Sequence, residues 1–124
     1  MDLIYKQEAY DIIGAAMEVY RDKGHGFAEP VYQECMELEL AHRGIPFDAQ
    51  HEIRLTYREH TLKQSYIPDL ICHEKIIVEL KAVKELADEH RAQLLNYLKA
   101  TGCPLGLLVN FGHHPGLQWE RLVL

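Results

Sequence analysis

Pro68-Asp69 is followed, ten positions after the aspartate, by Glu79-Leu80-Lys81. Side chains alternate along a strand, so Glu79 and Lys81 share one side and Leu80 takes the other. A tight turn at His73-Glu74 brings Asp69 back level with Glu79 on the neighbouring strand, where two carboxylates and an ammonium converge. Ile76, Val78 and Leu80 then form the core-facing row, and Ile77 is the one apolar residue near the charged pair. Charges projecting from an otherwise buried strand cost stability unless a metal, a ligand or each other satisfies them. The cluster suits Mg²⁺ or Mn²⁺, hard cations that take one or two carboxylates and complete their shell with water and phosphate oxygen. Asp69 and Glu79 are the expected ligands, with the Leu80 carbonyl as a further oxygen. Such an ion polarises a phosphodiester and acidifies an attacking water. Lys81 is placed to orient or deprotonate that water, or to balance charge in the transition state. A solitary Glu-x-Lys reads as a solvated strand face or a structural ion pair; the Pro-Asp at this distance favours chemistry.

The next segment, Lys84 to Thr101, has helical pattern and ends at Gly102 and Pro104. His90, Gln93 and Tyr97 fall on one polar stripe, beside an apolar stripe of Ala87, Leu94 and Leu98. Gln93 is expected to face the metal and position water, while Tyr97 and Lys84 are the candidate nucleic-acid contacts. The competing reading makes Gln93 and Tyr97 the polar flank of an amphipathic helix, and His90 reads as a packing or capping residue. Eight histidines invite a zinc site, but no HExxH or Cys/His spacing occurs, and His113-His114 adjoin a Pro-Gly loop that suits solvent. Gly24-x-Gly26 precedes a helix without following a strand, so it is no phosphate-cradling loop.

The elements that must position these residues follow from period. Glu8 to Tyr20 reads as a helix with Ala9, Ile12, Ile13, Ala16, Val19 and Tyr20 inward. A second helix opens near Pro30, with Glu29 at its positive end and Val31, Cys35 and Leu38 as its buried stripe, and closes at Gly44. Ile53 to Tyr57 alternates as a half-exposed strand. Thr61 to Cys72 is a second extended stretch, edged by Pro68, and Lys75 to Ala82 a third. The turn at Arg58-Glu59-His60 lacks the glycine a tight hairpin favours, which leaves that hairpin's register open. Leu105 to Val109 reads as a buried strand and Leu117 to Leu124 as a closing one. The order α-α-β-β-β-α-β-β predicts an α/β (α+β) domain, a mixed sheet flanked by helices, spanning residues 1–124 as one unit.

Hydrophobic residues at 48% and charged residues at 26% are proportions of a globular chain. No apolar run reaches the ~18 residues of a membrane span, and Met1 to Lys6 carries no export-signal pattern, so a cytoplasmic protein away from membranes is expected. Cys35, Cys72 and Cys103 read as reduced core thiols. The net charge of −6 runs against nucleic-acid binding, but it is uneven. Residues 1–50 hold 4 Lys+Arg and 10 Asp+Glu, whereas residues 51–124 hold 9 of each. A bound divalent ion would turn the second half locally positive.

Pro68-Asp69, Glu79-x-Lys81 and Gln93-x-x-x-Tyr97 together resemble the three signatures of the PD-(D/E)XK nuclease superfamily, the last in its exonuclease-type form. Gly26-Phe27-Ala28-Glu29-Pro30-Val31-Tyr32 resembles the GxxExxY pattern of a family of small bacterial proteins placed in it. Lys81-Ala82-Val83, Gln93 through Gly102 and Asn110-Phe111-Gly112 extend the similarity from about residue 8 to the end. The resemblance implies a restriction-endonuclease-like core, a divalent metal on Asp69, Glu79 and, as accessory ligand, Glu29, and hydrolysis of nucleic acid, DNA foremost. For Glu29 the competing reading is a carboxylate favoured by the helix dipole. Two further readings stay open: a catalytically silent module of the same fold that binds nucleic acid or a protein, and a subunit active only with a partner. A homodimer would suit cutting two strands.

Overall fold

The computed structural model describes residues 3–124; Met1 and Asp2, part of the opening segment read for an export signal, lie outside them. Two parallel strands form its centre: β5 (Ile76–Lys81) and β6 (Leu105–Asn110). Both are near-continuous apolar runs, as strands covered on both faces must be. β6 is buried throughout and β5 up to Glu79 and Leu80. Antiparallel strands extend the sheet on either side, with β4 (Leu70–Cys72) and β1 (Phe47–Ala49) beyond β5, and β7 (Gln118–Val123) beyond β6.

Helices cover both faces. α1 (Lys6–Lys23) and α2 (Glu29–His42) bury Ile12, Ala16, Met36 and Leu40 against Ile76, Val78, Leu80 and Leu107. α3 (Asp88–Thr101) lays Leu94 and Leu98 over Ile77 and Leu108 on the opposite face. A bidentate pair from Arg91 to Glu120 fastens α3 to β7, at 2.7 and 2.5 Å. This is the mixed α/β architecture that the period pattern predicts. Among the described residues no helix is long and apolar enough to cross a membrane. The three cysteines are free thiols, Cys72 and Cys103 buried and Cys35 half-buried.

Four details depart from expectation. β1 escapes notice because three residues are too few to show a period. The stretch from Thr61 to Cys72 is two strands: β3 (His60–Tyr66) pairs with β2 (Ile53–Tyr57) in a separate hairpin, and β4 joins the main sheet. Pro68 lies at the break, where a residue without an N–H cannot continue a ladder. α3 begins at Asp88 rather than Lys84, since side chains capture the preceding amides: Asn110 Oδ1 accepts from Val83 N–H, Gln118 Oε1 from Leu86 N–H, and His90 Nδ1 from Ala87 N–H. Finally, α2 buries Tyr32, Met36 and Leu40, leaving Val31 and Leu38 exposed.

The rotation of α2 is set by Tyr32. Its hydroxyl donates to Gly24 O at 2.6 Å and accepts from Phe27 N–H at 3.2 Å, and its ring stacks on Phe111 at 4.5 Å. A phenol goes inside when its oxygen is satisfied there. Tyr32 thereby holds the loop leading into Glu29. Tyr32→Phe should leave a carbonyl and an amide without their partner and destabilise the fold by about 1–3 kcal/mol, read by denaturant unfolding.

Candidate active site

β4 pairs with β5 in the register Leu70↔Val78, Ile71↔Ile77 and Cys72↔Ile76. Continued by one step, this register sets Asp69 opposite Glu79, and opposed residues of an antiparallel pair point to the same face. The turn that fixes it has His73 and Glu74 both at positive φ, 54° and 60°. Two-residue hairpins of this twist need left-handed central residues.

Asp69 is held from three directions. Its Oδ2 accepts from Leu80 N–H at 2.7 Å, replacing the ladder partner that β4 would have supplied one residue further. Its carbonyl accepts from Gln33 Nε2 at 3.0 Å and from Gln50 N–H at 3.3 Å. Gln33 in turn donates to Glu37 at 2.9 Å. Neither glutamine stood out in the sequence, although Gln33 follows Glu29 by one helical turn and so shares its face.

Glu79 is buried, 5% exposed, and its Oε1 has no hydrogen-bond partner among the described residues. Burial, reinforced by the charge and hydrogen bonding of Asp69, pushes its pKa up to about 9, against a smaller opposing pull from Lys81. Glu79 is thus withdrawn from water, at the end of a second apolar core under α3 that includes Leu86, Leu94 and Leu108 as well as Ile77. Sequence period placed only Ile77 there, because the rest arrive from distant elements.

The other predicted residues are distributed unevenly. Lys81 is half-buried at the end of β5, on the face of Glu79. Tyr97 is half-buried, and its hydroxyl is pushed up by burial and then by Glu79 and Asp69, so it belongs to the same cluster. One face of its ring is taken by Tyr66, stacked at 3.8 Å and 5°, and Tyr66 donates its hydroxyl to Tyr97 O at 3.2 Å. Tyr66 stands three residues before Asp69, but no motif or period in the sequence marks it. Gln93 is exposed one turn before Tyr97, and Lys84 is exposed in the loop between β5 and α3 instead of on the helix. His90 caps α3. His113 Nδ1 contacts Gly116 O, and the His114 ring lies 4.4 Å from that of His25 with the planes tilted by 35°.

Glu29 lines a cleft of about 530 Å³ together with Pro30, Gln33, Glu34, Glu37, Gln50, Asp69 and Leu80. It stays on the rim, exposed in the first turn of α2. Among the described residues no three His, Cys, Asp or Glu side chains gather as a metal cage. The donor set is therefore a carboxylate pair in which Asp69 lines the open cleft and Glu79 lies buried with one oxygen unpartnered among the described residues. That fits Mg²⁺ or Mn²⁺, which retains water and borrows substrate oxygen, better than an ion needing an all-protein shell.

The loop after Lys81 is positioned by close packing. A Cβ on Gly112 would lie 2.4 Å from Val83 O and 2.5 Å from Val83 N. Asn110, fully buried, bonds Val83 N–H and Gly112 N–H through Oδ1 and Gln118 Oε1 through Nδ2.

Comparison with known proteins bears on the fold and the family. The solved structure titled "Crystal structure of SSO0001" superposes with a TM-score of 0.62 at 18% identity, covering 96% of this chain but 57% of that one. The chain thus spans little over half of that neighbour, and the likeness concerns the fold. No curated protein matches the sequence. The profile of the PD-(D/E)XK nuclease superfamily matches residues 6–122, nearly the whole chain, and the chain belongs to that superfamily.

Proposed function

We propose that the protein hydrolyses phosphodiester bonds of nucleic acid, DNA foremost, with a Mg²⁺ or Mn²⁺ ion held by Asp69 and Glu79. The observation that carries this reading is the buried, unpartnered Glu79 Oε1 beside Asp69, a costly arrangement that a divalent cation relieves. Bound there, the ion would polarise the scissile phosphate and acidify a water. Asp69, clamped by Leu80, Gln33 and Gln50, supplies a fixed carboxylate oxygen. Lys81 directs its ammonium from the face of Glu79 to orient the water or to offset charge gathering on the phosphate. Gln93 positions the water, Glu29 acts from the rim as accessory acid, and Tyr97 and Lys84 contact substrate. The Gly26, Glu29 and Tyr32 spacing supports placing the chain in the GxxExxY group: Gly26 takes a φ of 116° that disfavours a side chain, and Tyr32 pins the loop before Glu29.

The test is calorimetric titration of Mg²⁺ into the wild type, Asp69→Ala and Lys81→Ala, followed by incubation with single-stranded, duplex and branched DNA and with RNA. Asp69→Ala should lose metal binding. Lys81→Ala should keep it and lose about 10²- to 10⁴-fold in cleavage rate, the usual contribution of a positioned proton-transfer group. Metal binding without cleavage of any substrate would favour a silent binding module, a reading to which the acidic rim of Glu29, Glu34 and Glu37 lends some support. Absence of metal binding in the wild type would remove the enzymatic reading.

A further inference from the structure

Among the described residues the β2–β3 hairpin is paired only to itself. It belongs to a two-stranded sheet separate from the main one and, among those residues, packs against no other helix or strand to any substantial extent. Tyr66, at its root, is the exception, stacked on Tyr97 beside Glu79. Its tip is a two-residue turn in which Arg58 and Glu59 both adopt positive φ, 47° and 70°, between the paired Tyr57 and His60. This resolves the register that the missing glycine left open. Between Arg54 and Thr56 the pairing register shifts, so the ladder is interrupted midway along the ribbon.

Its composition differs from the rest of the chain. Residues 51–66 carry Arg54, Arg58 and Lys63 against Glu52 and Glu59, a balance of +1, so a chain of net charge −6 carries −7 elsewhere. The three cations are exposed. Arg58 also lies over the exposed Tyr57 ring, 5.7 Å from its centroid. Few large apolar groups are offered besides Tyr57. That favours a polyanion over an apolar protein surface as the occupant.

We infer that the β2–β3 ribbon is a grip for duplex DNA, inserted into the major groove with Arg54, Arg58 and Lys63 on phosphates, and that its root delivers the gripped strand to Asp69 and Glu79. The inference extends the nuclease reading above and uses that site as its destination. At about 3.3 Å per residue, the strands reach roughly 20 Å from Tyr66 to the tip. The B-form major groove, ~12 Å wide and ~8.5 Å deep, admits a two-stranded ribbon, whereas the narrow major groove of A-form RNA does not. The chain from tip to site is short: β3 ends at Tyr66 and Asp69 follows by three residues.

The experiment measures binding of a fluorescent 20-base-pair DNA in EDTA, so that affinity is read without cleavage, for the full-length wild type, the triple variant Arg54→Ala/Arg58→Ala/Lys63→Ala, and Arg58→Glu. Thermal melts check the fold. Hydrolysis of bis(p-nitrophenyl) phosphate with Mn²⁺ reads the site without a duplex to grip. The triple variant should bind at least tenfold more weakly, with its log affinity against log salt flattened by up to about 2.7, or 0.9 for each phosphate that is no longer neutralised. Arg58→Glu should weaken binding while keeping the melting temperature, and both variants should hydrolyse the small diester at the wild-type rate. Duplex affinity unchanged in both variants, wild-type protein that binds no duplex, or tighter binding of single-stranded DNA or duplex RNA would each overturn the grip. Loss of duplex binding in the variants, with no hydrolysis of any diester by the wild type, would sustain the grip and overturn the nuclease reading instead.

Discussion

Glu79→Gln is expected to abolish cleavage while making the metal-free protein more stable at neutral pH. A carboxylate with a folded pKa near 9 and an unfolded value of 4.5 takes up a proton on folding anywhere between the two. Its contribution to stability is therefore greatest below about pH 4.5 and is lost progressively as pH rises towards 9. At pH 7 the deficit is on the order of 3 kcal/mol, from roughly 1.4 kcal/mol per pH unit. Glutamine keeps the shape and carries no titrating proton. The variant should exceed the wild type in unfolding free energy by that order at pH 7, with the gap closing near pH 4.5 and widening up to pH 9. Urea unfolding in EDTA across this range reads the difference. Equal stability at pH 5 and pH 8 would show that Glu79 is not held protonated.

At the proposed metal site the same proton would compete with the ion. A divalent ion requires the carboxylate and must displace the proton, so Mg²⁺ affinity in the wild type should climb by up to tenfold per pH unit until about pH 9. Glu79→Gln should bind Mg²⁺ weakly at every pH and cleave a thousandfold more slowly or worse, the several kcal/mol of charge stabilisation that a catalytic ion supplies. Opposite effects on stability and activity from one isosteric change distinguish a functional carboxylate from a structural one. Removing half of a structural ion pair would lower both.

Gly112→Ala is the second substitution with a large expected effect. The added Cβ would meet Val83 O at 2.4 Å and Val83 N at 2.5 Å. These are backbone atoms of the segment just after Lys81, already tied by Asn110 to β6, so relief requires moving the segment itself. Overpacking of this kind costs about 1–3 kcal/mol or more. Displacement of the Ala82–Val83 backbone should also disturb Lys81, giving a fall in cleavage rate with Mg²⁺ affinity retained. By contrast, Gly116, where a Cβ meets nothing within 4 Å, should accept alanine with less than about 0.5 kcal/mol of change. Unfolding and metal titration of both variants make the comparison, and equal melting temperatures would refute it.

Much of the site can be read in the chain before it folds. Alternation places Glu79 and Lys81 on one side of β5, and the two-residue turn at His73-Glu74 makes Asp69 level with Glu79. Both are local rules with a period of two, and ten residues are too few for the geometry to wander. The helical face of α1 and the all-buried β6 are equally local.

Tertiary structure decided what depends on partners distant in sequence. Which face of α2 turns inward was settled by Tyr32, whose hydroxyl finds Gly24 and Phe27 and whose ring finds Phe111, so Val31 and Leu38 were left outside. The start of α3 was settled by Asn110, Gln118 and His90, side chains that capture three amides of the preceding loop and leave Lys84 off the helix. The clamp of Gln33 and Gln50 on Asp69, and the stack of Tyr66 on Tyr97, join residues that only the packed fold brings together. Above all, the raised pKa of Glu79 comes from desolvation. Burial is set by every element that excludes water from a point, so periodicity could indicate where the carboxylates meet but not how strongly their surroundings would oppose their charge.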